Sequence, residues 1–377
     1  MEKKSKIAWS VVFSSMAVWL STKAGGGFIT GTQMSQYFTQ YGWPAIFTPV
    51  IWVLLVCLVF RELFLMANHY RVFNYHYLTP HMYGKANVIC GPLYGLCTII
   101  GAILGISTCI SGAGSVLQQT FGLNYYVCIT LAGVVMLLLC MYGASLVRKS
   151  ASVMTVIIII CVLLMCIFGI SAGKDNLHHV VATKQITASW GTIIWKMIVF
   201  TGFQCFAFFG ILATFDAVKT DKEVNAIFWV EFIVESILTL LACILILCYF
   251  PESNGEPVPL LYAVNQTGKT WLTVFYSIAM FMCALTTGVS IVFGTITRFS
   301  PYKDKFKFIK TDRAYSACIG IIAILVSVGV SSFGIVKILK VGYGYTGIVG
   351  ILLVLIPSLT IVAYKNRKWK KEHPDAE

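Results

Sequence analysis

Gly25-Gly26-Gly27, with Lys23 before it and Thr30-Gly31-Thr32 after it, is the stretch whose residue types could do chemistry. It interrupts an apolar run that begins at Ile7. Each glycine weakens a helix by roughly 1 kcal/mol relative to alanine. Three together free backbone amides and carbonyls that hydrocarbon cannot satisfy, so a break at membrane depth must be buried in protein or line a cavity. A half-helix starting near Gly26 or Gly27 would present N–H groups and a positive dipole end, which suit a carboxylate. Phe28 would stand beside it. The segment Ser21 to Gln33 therefore reads as a binding site, with close helix packing through small residues as the alternative.

Lys23 places a charge beside the break, where insertion costs about 2.5–3.5 kcal/mol, so a compensating partner is expected. Lys23 could replace a second cation, pair with an anionic solute, or carry a coupling proton. The structural alternative is an ion pair with Glu231 or Glu235, which share one helix face at i,i+4 spacing. A second candidate break is Phe200 to Gly210, where Gln204 could read a polar head group between walls of Phe203, Phe206 and Phe208. An ordinary aromatic core with one interhelical hydrogen bond is the other option there. Ser107, near the middle of the third apolar run, is expected to reach the same place. His178-His179, near Asp175, reads as a solvated outer loop rather than a metal site. No His-Glu-x-x-His, Gly-x-Ser-x-Gly or phosphate-binding glycine loop occurs, so an enzyme is not expected.

The elements that must position these residues are membrane spans. The chain has 377 residues, 58% hydrophobic and only 11% charged, with mean hydropathy +0.82, against about 25% charged in soluble domains. Ten apolar runs are long enough to cross a bilayer: roughly 7–40, 44–67, 88–119, 125–146, 151–173, 190–216, 225–250, 270–297, 313–334 and 338–364. The net charge of +13 does not read as nucleic-acid binding. Lys and Arg gather in alternate gaps, namely the N-tail, 61–87, Arg148-Lys149, 217–222, 298–313 and the C-tail. The other gaps hold only Lys174, Lys184, Lys269, Lys337 and Lys340. That asymmetry places both termini in the cytoplasm. The basic runs 303–313 and 365–371 read as anchors to anionic lipid. The 13 cysteines fall in or beside apolar runs and read as packing residues rather than a disulfide framework. The first run lacks a small-residue cleavage site and is expected to remain as a span.

The two candidate breaks lie in the first and sixth runs, so two sets of five spans would each begin with a broken helix. Because five is odd, the sets would run antiparallel, the pattern of a transporter with a midplane site. The expected architecture is one transmembrane domain over 1–377. It would comprise a first repeat over 7–173, an inverted second repeat over 190–364, and a basic tail over 365–377.

Gly25-Gly26-Gly27-Phe28-Ile29-Thr30-Gly31 resembles the Gly-x-Gly-Phe-x-Ser-Gly opening of YkvI-like bacterial membrane proteins. It is also similar to the Gly-Ser-Gly-Ile-Phe signature of the amino acid–polyamine–organocation superfamily. That resemblance implies an all-α, LeuT-type fold with ten spans, the first and sixth discontinuous, in a bacterial-type inner membrane. Cys283-Ala284-Leu285-Thr286-Thr287 resembles the segment that supplies sodium ligands in sodium-coupled members of the fold. Carried over, the ligands would be the Thr286 and Thr287 hydroxyls with the carbonyls of Cys283, Ser21 and Ala24. Transmembrane threonines also often bond their own helix. Lys23 departs from the family pattern and puts a second sodium site in doubt. The fifth run has no lysine, unlike some proton-coupled relatives.

The function expected is import of a small zwitterionic or anionic solute, most simply an amino acid, by alternating access coupled to sodium. The partners expected are that solute and the bilayer, the oligomeric state is expected to be monomeric or weakly oligomeric, and no cofactor is expected beyond the ion. Proton coupling through Lys23 and a non-transporting membrane sensor are the alternatives.

Overall fold

The structure, a computed structural model, describes residues 7–23, 25–142, 144–212, 215–299, 303 and 311–373, and within them it is all helical apart from one isolated bridge, Gly42 to Ile186. Among the described residues, seven helices are long and apolar enough to cross a membrane: Thr48–Tyr70, His76–Phe121, Ile159–Ala182, Asp221–Leu247, Thr270–Ile296, Asp312–Ser331 and Ile335–Glu372. Trp9–Leu20 and Tyr125–Cys140 are shorter apolar helices. The protein is a multi-pass membrane protein.

The first apolar run is cut into three pieces, α1 (Trp9–Lys23), α2 (Gly26–Ile29) and α3 (Thr32–Tyr37). Gly25 is extended (φ −67°, ψ 179°) at the start of α2, and Gly31 is left-handed (φ 77°) before α3. Any other residue at Gly31 would be strained. Hydroxyls close the cut backbone. Thr30 Oγ1 donates to the Gly26 and Gly27 carbonyls, and Thr32 Oγ1 donates to the Pro257 carbonyl. The Leu260 amide donates to the Thr30 carbonyl, and the Tyr276 hydroxyl to the Ile29 carbonyl.

The chain continues through α4 (Thr48–Tyr70), α5 (Tyr75–Tyr83), α6 (Asn87–Phe121), α7 (Tyr125–Tyr142) and α8 (Ala144–Ala182). The sixth run breaks more gently. α9 (Trp190–Gln204) passes through a 3-10 turn, Cys205–Ala207, into α10 (Phe208–Leu212) with every backbone angle at the junction right-handed. Next come α11 (Asp221–Leu247), α12 (Pro259–Asn265), α13 (Thr270–Phe299), α14 (Asp312–Ser331) and α15 (Ile335–Glu372), the last with three π-helical stretches. α11 opens with a capping box in which Thr220 and Glu223 satisfy each other's backbone, as first-turn amides require.

Two cores organise the bundle. One is drawn mainly from α1, α4, α8, α9, α11 and α15. The other joins α6, α7, α13 and α14 through Ile106, Ile110, Met136, Leu285 and Ile324. The 13 cysteines are free, as packing residues would be.

One expectation about the gaps changes. α8 runs on to Ala182, so His178 and His179 sit on a helix rather than in a loop, and no cluster able to hold a metal exists among the described residues. The C-tail also makes contacts within the protein. Lys365 donates to the His81 carbonyl, Lys370 Nζ lies 2.9 Å from Asp221, and Trp369 stacks on His69. Most of the 303–313 run lies outside the described residues.

Candidate functional site

Where α1 stops, a cavity of about 340 Å³ opens between α6, α9, α13 and α15. Thr22, Lys23, Gly25 and Gln33 line it from the broken first run, and Phe203, Gln204 and Phe206 from the second. Thr108 and Gly105 of α6, Thr287 and Arg298 of α13, and Tyr343 of α15 complete much of the wall. The two breaks thus face one chamber. It extends to Asn74 and Gly294, both exposed, so that end meets solvent. The opposite end is closed by the ties from Thr30 and Thr32 to the 257–260 loop.

The three glycines do different work. Gly25 lines the cavity, and a Cβ there would meet Thr287 Cγ2 at 3.7 Å. Gly26 is a packing glycine, because a Cβ would fall 2.2 Å from the Thr108 carbonyl oxygen. At Gly27 a Cβ would fall 2.7 Å from the Gln33 side chain. Neither Gly26 nor Gly27 is on the wall. Phe28 is also away from it, facing Tyr276 and Met280 in a separate small void. Ser107 is fully buried, with its hydroxyl donating to the Ile103 carbonyl at 2.6 Å, and the next residue, Thr108, takes the wall position. Phe208 packs on Phe60 and Phe64 instead.

Lys23 meets its counter-charge in the protein. Its Nζ lies 2.6 and 2.8 Å from the two oxygens of Glu235, with both side chains buried. The rings of Trp19, Trp52 and Phe60 enclose the ammonium at 5.5–5.6 Å, close enough for cation–π attraction. Glu231 is fully buried one turn before Glu235.

Of the sodium set carried over from the resemblance, Thr287 is on the wall opposite Gly25. Cys283 and Thr286 are off it, and the Thr286 hydroxyl donates to the Cys283 carbonyl at 3.0 Å. Ala24 lies outside the described residues, as does the side chain of Ser21. The oxygens near Gly25 suit a hard cation in type, but Thr286 is committed to its own helix.

Tyr343 and Arg298 carried no signal in the sequence, and Gln33 was marked only as the end of the first break's segment. Tyr343 stacks on Phe203 at 3.4 Å between ring centroids, and its hydroxyl is 3.2 Å from Thr108 Oγ1. Gln33 is nearly buried, and its carbonyl oxygen has no partner among the described residues. Arg298 Nη2 donates to the Gly95 carbonyl at 2.6 Å while the residue lines the mouth. Only the tertiary fold brings α6, α13 and α15 to one point.

The fold matches solved structures along nearly the whole chain. One is a substrate-bound, outward-open Na+-coupled sialic acid symporter, with TM-score 0.68 and 13% identity, covering 94% of this chain and 81% of that one. The fold is LeuT-type. MhsT in complex with L-phenylalanine shares it at TM-score 0.65 and 12% identity, covering 98% and 99%. A manganese transporter mutant from Eremococcus coleocola does so at TM-score 0.57 and 14% identity, covering 95% and 81%. No protein-family profile matches the chain, and no curated protein matches it by sequence. The LeuT-type fold is therefore carried here by a sequence far from those of the structures that share it.

Proposed function

We propose that this chain is a secondary transporter that moves a small zwitterionic or anionic organic solute by alternating access. The observation that carries the reading is the wall of the cavity between the two breaks. Among the described residues it offers the Arg298 guanidinium, the unpartnered acceptor of Gln33, several hydroxyls and the Phe203, Phe206 and Tyr343 rings, and no carboxylate, thiol or imidazole. Such a wall suits a carboxylate at one end, a donor such as an ammonium at the other, and an apolar body between them. An amino acid has that chemistry. A divalent metal, the cargo named for one structural neighbour, would instead want acidic or sulfur ligands.

In this reading the ten apolar elements form two inverted five-helix repeats, 7–173 and 190–364, in the inner membrane with both termini cytoplasmic. The solvent-facing mouth beside Asn74 and Arg298 then opens inward, so the conformation is the one that releases solute. Sodium is the coupling ion of the proposal, held between the Thr287 hydroxyl and the carbonyls at the end of α1. It would stabilise the opposite, outward-open state, since an ion shifts a two-state equilibrium only by its differential affinity.

The test is thermal stability of the purified protein across an amino-acid panel in sodium and in choline, followed by uptake into proteoliposomes of any ligand found. A ligand that binds only the folded state adds about 2.7 kcal/mol at a hundred times its Kd. Stabilisation by one amino acid, enhanced by sodium and matched by uptake, is the expected result. A panel that produces no shift and no uptake would overturn the amino-acid assignment.

A further inference from the structure

Behind Lys23 lies a charge imbalance that the transporter reading does not use. Glu231 and Glu235 are 0% and 1% exposed, one turn apart on α11. Glu235 takes both of its short contacts from the Lys23 ammonium. Neither oxygen of Glu231 has a hydrogen-bond partner among the described residues. The titratable groups facing it are Lys23 from α1, Glu235 on α11 and Cys57 from α4, and Cys205, after α9, faces Lys23. From α8, the Cys166 thiol lies at Leu241, further along α11. One ammonium therefore faces two carboxyls in a dry site. An isolated carboxylate there would face a desolvation penalty of several kcal/mol, and a buried group in that position neutralises itself instead.

We propose that Glu231 is a proton-binding site. In this conformation it holds one proton, so that Lys23, Glu235 and Glu231 together are neutral. Two features tie the site to the cavity. Lys23 lines the cavity while its ammonium reaches Glu235, and Lys23 is the last residue of α1, at the break. Movement of α1 that carries the ammonium between the two carboxylates would let Glu231 release its proton to cavity water as H⁺. The return movement would take one up. No other bond is made or broken. The link to solute movement rests on the transporter reading, whereas the proton site does not.

The experiment is infrared spectroscopy of the purified full-length protein at neutral pH, following the C=O band of protonated carboxyl groups and its shift in D2O. A band that is lost in Glu231→Gln is expected. Glu235→Gln should also lose it, because Lys23 then has only Glu231 to pair with and that group ionises. Lys23→Gln should raise its intensity about twofold, since both carboxyls then stay neutral. A band unchanged in Glu231→Gln, or absent from the unsubstituted protein, overturns the proposal. Should Glu231→Gln not fold, the opposite responses of Glu235→Gln and Lys23→Gln decide, and no change in either overturns it. The measurement needs no solute. A carboxyl band with these responses and no uptake of any panel solute would overturn the amino-acid assignment and leave the proton site standing. Uptake without the band would do the reverse.

Discussion

The two breaks that face the cavity are built differently. The first has three adjacent glycines, a left-handed Gly31, hydroxyl braces from Thr30 and Thr32, and a buried charge at its edge. The second turns through Cys205–Ala207 with right-handed backbone throughout, no charge, and a glycine whose role is packing. A Cβ at Gly202 would lie 2.2 Å from the Gly347 carbonyl oxygen on α15, and one at Gly350 2.0 Å from the Gly202 carbonyl oxygen. A backbone that leaves helical geometry must re-satisfy its polar groups and so needs special residues. One that only tightens into a 3-10 turn keeps i→i+3 bonds and needs none. The first break thus carries a charge and a special backbone, and the second is a tightened turn seated against a neighbouring helix.

The largest expected difference between them is in charge. Lys23→Ala leaves Glu235 buried without its partner, and breaking such a pair costs about 3–5 kcal/mol. Gln204→Ala at the second break removes one amide at the cavity wall and should cost about 1 kcal/mol or less. Denaturation midpoints of the two variants in the same detergent check this. Lys23→Met combined with Glu235→Leu should recover most of the loss, because replacing both partners with apolar groups is often neutral. A Lys23→Ala variant as stable as Gln204→Ala would abolish the distinction.

Packing comes next, and here the two breaks should behave alike. Gly26→Ala and Gly202→Ala each push a methyl into backbone, at 2.2 Å from the Thr108 and Gly347 carbonyl oxygens respectively. Overpacking of this kind costs about 1–3 kcal/mol. Gly31→Ala should fall in the same range for a different reason, a left-handed backbone costing roughly 1–2 kcal/mol per residue, besides contact with Leu260 at 2.6 Å. If Gly202→Ala were neutral while Gly26→Ala was severe, α15 would be free to withdraw and the second break would be the softer hinge.

This difference explains what the sequence made legible. The first break could be read because glycine and lysine are rare in such surroundings, and the cut at Gly25 and the pairing of Lys23 with Glu235 both lie where the pattern pointed. The apolar runs also gave the helices, although α8 extends past its expected end because His178-His179 looked like loop. Gln33 closed the segment the pattern marked, though not as a wall residue in its own right, whereas Tyr343 and Arg298 were invisible for the opposite reason. Each is an ordinary residue for its segment, and its place on the wall depends on how α3, α13 and α15 cross. Ser107 was off by one residue, and one residue on a helix is about 100° of rotation, enough to exchange the cavity wall for the Ile103 carbonyl.

The smallest effect, and the finest test of the first break, concerns two adjacent threonines. The Thr286 hydroxyl donates to the Cys283 carbonyl, while Thr287 lines the cavity with its methyl carbon nearest Gly25 and its hydroxyl hydrogen-bonded to the Cys283 thiol. A hydroxyl that bonds its own helix contributes little, so Thr286→Val should shift the denaturation midpoint by less than about 0.5 kcal/mol equivalent. It should leave any sodium-dependent stabilisation in place. Thr287→Val should be equally benign in choline yet lose the sodium response, because it removes the hydroxyl of a threonine that lines the cavity, which would have to turn from the Cys283 thiol to the ion. Melting curves of both variants in sodium and in choline separate the two residues. Loss of the sodium response in Thr286→Val as well would mean that its hydroxyl turns from Cys283 to the ion when α1 moves. No sodium response in any form of the protein would leave Lys23 as the only cation at the break, already neutralised by Glu235, and would make the first break a proton-linked device rather than a sodium-linked one.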